Sequence, residues 1–130
     1  MQIIAVLVAA AGAYAFGAVW YMINADRWMN AAGVTREQVE GGATKSPGPF
    51  IISAIMAILV AGMTRHMFNM AGIDTVSKGF LSGLGLGAFV AAPWIVTNYA
   101  YAMRPRTLTL IDAGYAIAGT TIIGTILTLF

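Results

Sequence analysis

Four long stretches of this chain are apolar almost without interruption, at about residues 2–24, 49–70, 78–103 and 107–130. Crossing ~30 Å of hydrocarbon takes ~20 helical residues, so each stretch is long enough to span a bilayer. In lipid every backbone amide must find its partner inside the protein, which leaves only helices and closed barrels. The runs are continuous rather than alternating, so they are predicted to be helices. Only 9% of the residues are charged, against roughly a quarter in soluble domains. Twelve charged side chains cannot clothe a soluble globule of 130 residues. The expected fold is an all-α integral membrane protein, a single domain of four transmembrane helices in an up-down antiparallel bundle. A soluble enzyme, a free nucleic-acid binder and a disordered tail are excluded on the same ground.

The chain has no cysteine, which removes disulfides, thiolate metal sites and cysteine nucleophiles. No Lys or Arg precedes the first apolar run, so it lacks the charged start of a cleaved signal peptide and is expected to remain as a helix. The one sizeable polar segment, 25–48, holds six of the twelve charges together with Gly41, Gly42, Pro47 and Gly48. Thr35 followed by Gln38 has the spacing of a capping box that opens a short helix. Residues 25–32, with Trp28 and Met29, either continue the first helix or lie at the interface. The segment is a solvated connector or a loop on which a partner docks. The other connections are tight, Gly72-Ile73-Asp74 and Arg104-Pro105-Arg106, and loops this short are expected to force antiparallel neighbours.

Orientation follows from Lys and Arg. Arg27, Arg36, Lys45, Arg104 and Arg106 lie in the first and third loops, whereas Arg65 and Lys78 flank the second. Loops 25–48 and 104–106 are therefore expected in the cytoplasm and both termini outside.

Lipid tails are as apolar as leucine, so close packing through small residues holds membrane helices together. Gly79, Gly83, Gly87 and Ala91 recur every four residues in the third span, and Ala5, Ala9, Ala13 and Gly17 do so in the first. The fourth carries Ala116, Thr120 and Gly124. These stripes serve packing within the chain or an oligomer interface. The run Gly83, Gly85, Gly87 is no phosphate loop, because no strand precedes it and no Lys-Ser or Lys-Thr follows. Pro93 removes one hydrogen bond inside the third span and predicts a kink.

Asp112 is the most informative residue. A carboxylate in lipid is costly and should face protein, water or a cation, with some relief from the helix N-terminus nearby. Arg104 and Arg106 are the nearest partners in sequence. The topology brings Asn24, Asn98, Trp20, Tyr21, Tyr99, Tyr101 and Tyr115 towards the same end. Three roles are open to Asp112: an ion pair or anchor that holds the fold, a ligand or ion pocket, and a proton relay. At the other end, Arg65 can reach the headgroups and His66 can sense pH. One histidine does not make a metal site, and Met63, Met67 and Met70 read as packing rather than copper ligands. Trp20, Trp28 and the tyrosines fit an interfacial aromatic belt.

Several of these residues fall into a pattern. Gly17-Ala-Val-Trp20-Tyr21 followed by Trp28-Met29, the glycine-rich third span, Asn98-Tyr99, Leu110-Ile111-Asp112-Ala113-Gly114-Tyr115 and the closing Ile123-Gly124-Thr125-Ile126-Leu127 resemble a bacterial membrane family. That family is known as "domain of unknown function 1761". The resemblance covers nearly the whole chain and implies four helices, with Trp20, Tyr21, Asn98, Asp112 and Tyr115 as signature positions. This chain has Met22-Ile23-Asn24 where many relatives place a proline after the Trp-Tyr pair. The resemblance implies no activity.

The functional expectation is a non-enzymatic accessory or scaffold protein without a cofactor or metal, embedded in the lipid bilayer as a homo-oligomer or in a larger membrane complex, and not bound to nucleic acid. The alternative is a small oligomeric transporter or channel whose site draws on Asn24, Asn98, Arg104, Asp112 and Tyr115, with the Pro93 break. A membrane enzyme is disfavoured, since only Asp112 with Tyr115 or Arg104 offers an acid–base set and no reacting partner is evident.

Overall fold

A computed structural model describes residues 1–40 and 47–130. Gly41, Gly42 and Lys45 lie outside the described residues. Among those described, the chain is helical throughout: α1 (Gln2–Ile23), α2 (Ala25–Ala32), α3 (Arg36–Glu40), α4 (Gly48–Ala71), α5 (Val76–Leu86), a π-turn (Gly87–Ala91), α6 (Ala92–Tyr101) and α7 (Arg106–Leu127). Four helices are long and apolar enough to cross a membrane: α1, α4, the continuous Val76–Tyr101 segment and α7. The chain is a multi-pass membrane protein.

The ends of these helices follow from local chemistry. The Asn24 side-chain amide donates from Nδ2 back to the Trp20 carbonyl at 2.9 Å where α1 ends, and α2 is a separate short helix rather than a continuation. Gly33 ends α2 and Gly72 ends α4, both in the left-handed conformation that suits glycine. The capping box is present: the Thr35 amide donates to Gln38 Oε1 at 2.8 Å, and the Gln38 amide donates to Thr35 Oγ1 at 3.2 Å. Thr75 accepts from the Lys78 amide and opens α5. At the close of α6, Met103 donates to Ala100 and Arg104 to Tyr99, the pair of bonds that defines a Schellman motif. Met103 sits there at φ 54°.

α7 is the element that meets the other three spans. It packs on α1, α2, α4, α5, the π-turn and α6. The pairings with α1 run in opposite senses: Gly12 lies against Ile126, Gly17 against Tyr115, and Trp20 against Ile111. Those with α5 do likewise, with Gly79 at Gly124, Gly83 at Thr120 and Gly87 at Ile117. A Cβ on Gly79, Gly83 or Gly87 would overlap the α7 backbone or the Thr120 and Thr128 side chains. The glycine stripe is thus spent on packing inside the chain. The alanines of α1 meet α4 and α7 in a core of Ala5, Ala9, Ala13, Ala61, Phe68, Ile123 and Leu127. The threonines of α7 return their hydroxyls to its own carbonyls, as Thr121 does to Ile117 at 2.7 Å.

One expectation needs correction. The tight 72–74 loop does not make α4 and α5 packing neighbours: both lie on α7, which supplies the glycine-compatible surface, and no substantial contact joins them. Before Pro93 the helix also changes type. The helix widens into a π-turn before it, at Gly87–Ala91, with the Ala92 amide donating to Gly87.

Candidate functional site

Asp112 lies six residues into α7 from Arg106, about 9 Å along the helix, and is half-buried. Two tyrosines from two other helices hold it. The Tyr21 hydroxyl of α1 donates to Oδ1 at 2.6 Å, and the Tyr99 hydroxyl of α6 donates to Oδ2 at 2.6 Å. Both lengths fall in the 2.5–2.7 Å range of charge-assisted O–H···O⁻ bonds. Neither arginine expected as partner is there: Arg104 donates to the Ala32 carbonyl of α2 at 2.8 Å, and no ion pair joins Asp112 to Arg104 or Arg106. Arg104 instead ties the loop after α6 to the end of α2, where helix carbonyls lack internal partners.

Tyr99 reaches α7 because of the π-turn. Twelve α-helical steps separate Gly87 from Tyr99, and at about 100° each they would leave Tyr99 about 120° away from the glycine stripe. A π-turn absorbs one extra residue, which reduces the offset to about 20°. Tyr99 then faces α7 as Gly87 does.

Around the clamp, α1 and α7 exchange aromatic rings over glycines. The Trp20 indole donates to the Ile111 carbonyl at 3.0 Å and lies over Gly114, where a Cβ would come within 3.1 Å of the ring. Tyr115 lies over Gly17 in return, and its hydroxyl faces the Ala13 carbonyl at 3.4 Å. Phe16 stacks between Trp20 and Tyr115, with centroids 5.8 and 6.3 Å away. Tyr21 meets Tyr115 edge-on at 5.4 Å and Trp28 of α2 at 6.4 Å.

Of the residues singled out from sequence, Trp20, Tyr21, Asp112 and Tyr115 therefore converge. Asn98 does not: it is exposed on α6, one residue before the clamp. Asn24 closes its own helix, and Tyr101 is 87% exposed. Phe16 was missed, Gly114 entered only within the family resemblance, and Tyr99 was placed only as an aromatic neighbour. No sequence signal marked it, because twelve residues after Gly87 an unbroken α-helix would turn Tyr99 off the glycine stripe.

Beside the clamp, among the described residues, a cleft of about 640 Å³ runs between α1, the short helices and the start of α4. Tyr14, Tyr21, Trp28, Arg36, Phe50 and Tyr115 are among the residues that line it. Arg36 is paired there with Asp26 at 2.7 Å.

A family model described as "Protein of unknown function (DUF1761)" matches residues 4–128. No curated protein and no solved structure matches the chain.

Proposed function

The chain belongs to the DUF1761 family, and we propose that it serves as a non-enzymatic accessory or scaffold subunit of the bacterial inner membrane, as a homo-oligomer or within a larger membrane complex. The observation that supports this reading is the anchoring of Asp112: each carboxylate oxygen accepts a hydrogen bond from a tyrosine of a different helix. A carboxylate tied to two other helices fixes their positions. The deepest acid thus works for the frame, and contact with partners falls to the outer faces and to the cleft. Loops 25–48 and 104–106 face the cytoplasm in this reading, with both termini outside; a reporter fused after Phe130 that reads cytoplasmic overturns that orientation.

The test is gentle extraction from native membranes followed by native mass spectrometry. A stoichiometric set of other subunits, or a clean homo-oligomer, is the expected result. A lone monomer overturns the proposal. Asp112→Asn should loosen the bundle and shed the partners together.

A second reading, a small oligomeric transporter or channel, is favoured by one observation: the cleft and the clamp share Tyr21. A solute in the cleft would then compete with Tyr21 for Asp112. Liposome flux of ions and small metabolites that Asp112→Asn leaves unchanged rejects it.

A further inference from the structure

We infer that the groove between α1 and α4, at the end of the bundle opposite Asp112, binds one acidic phospholipid through Arg65. Arg65 is half-buried near the end of α4. Its Nε donates to Gln2 Oε1 and its Nη1 to the Leu127 carbonyl at 2.6 Å. The guanidinium is thereby tied to the start of α1 and the end of α7, and is not free to swing out to bulk water.

Its charge is not answered by the protein. Among the described residues Arg65 forms no ion pair, and no acidic side chain lines its groove. Asp74, in the loop that follows α4, is committed to Lys78 at 3.0 Å, and that hydrogen bond holds its carboxyl below the ordinary value. The Leu127 carbonyl contributes at most the half charge of a helix C-terminus. A fixed cation at the edge of a low-dielectric core calls for an anion.

The groove has the shape for the rest of the molecule. Its volume is about 430 Å³, within the ~300–1,000 Å³ of small-molecule sites. Arg65, His66, Asn69 and Gln2 form one end, all capable of donating to phosphate oxygens. Ile58, Gly62 and Val6 line the apolar remainder. From Ile58 to Asn69 the helix rises about 16 Å, which matches one leaflet of a ~30 Å core. Gly62 leaves the room: a Cβ there would meet only Val6, at 4.0 Å. A headgroup phosphate at Arg65 and an acyl chain over Gly62 account for the charge, the donors and the depth together.

The experiment uses the full chain in nanodiscs of phosphatidylcholine doped with phosphatidylglycerol, and native mass spectrometry counts the lipids that remain. Wild type should retain one phosphatidylglycerol, with roughly fivefold preference over phosphatidylcholine. Arg65→Gln should abolish the preference. Gly62→Leu keeps the guanidinium and fills the groove, so it should abolish retention while the helical circular dichroism stays that of wild type. Equal retention of the two lipids, or undiminished phosphatidylglycerol on Gly62→Leu, overturns the inference. So does inorganic phosphate that raises the melting temperature of the detergent-solubilised chain as much as phosphatidylglycerol does, since the acyl chain then contributes nothing.

Discussion

A carboxylate shared by two phenols makes the residues around Asp112 interdependent. Removing either hydroxyl, by Tyr21→Phe or Tyr99→Phe, leaves one oxygen without its donor. Each should cost about 1–2 kcal/mol, between the value for hydrogen bonds to charged groups and the lower one typical of membrane helices. The double variant should depart from the sum of the two, because both act on one acceptor; melting curves in detergent measure it. Met103 presents the opposite case. Its φ of 54° at the end of α6 costs an L-residue about 1–2 kcal/mol, and glycine returns about 0.5–1 of that as chain entropy. Met103→Gly should therefore raise stability by about 0.5–1 kcal/mol, read as a higher melting temperature. At this scale the sequence was legible in part. Asp112 stood out because an acid in an apolar run is expensive. Its partners did not, because Arg104 is near in sequence, whereas the Tyr21 and Tyr99 contacts depend on how three helices are rotated.

Within elements, the glycines of the third span separate by a single criterion, what lies opposite. Gly83 faces the Thr120 carbonyl, whereas nothing lies within 4 Å of a Cβ on Gly85. Gly83→Ala should destabilise by about 1–3 kcal/mol as an overpacked contact. Gly85→Ala should gain up to about 1 kcal/mol of helix propensity. Equal effects of the two on thermal unfolding would contradict the packing described. The stripe was readable from its spacing of four, but the spacing alone did not distinguish a neighbour in the same chain from a second copy. The π-turn was not readable at all, since Pro93 signals a break and not its kind. Its role as a register device has a direct check. One alanine inserted after Ala88 turns Tyr99 away by about 100°, so Tyr99→Phe should then cost nothing further. Deleting Ala88 removes the extra residue and should preserve the cost of Tyr99→Phe.

For the molecule as a whole, the number of spans was legible from apolar length, because the bilayer sets a length that composition either meets or does not. Their arrangement was not, because loop length constrains which ends are close and not which faces match. α7 matches all of them, through the glycines Gly79, Gly83 and Gly87 on one side and the alanines of α1 on the other. A chain that stops after Met103 should therefore retain its helices by circular dichroism and lose cooperative melting.

The central position of α7 also has a consequence in time. It is the last of the four spans to be synthesised, so the first three enter the bilayer before the helix that unites them exists. At ~5–20 residues per second the interval between Gly87 and Leu127 lasts seconds. During it the bare glycine face of α5 is open to any helix nearby. Biogenesis of this protein thus contains a waiting period, and the insertion machinery, or whatever shields nascent spans beside it, has to keep that face unmatched until α7 arrives.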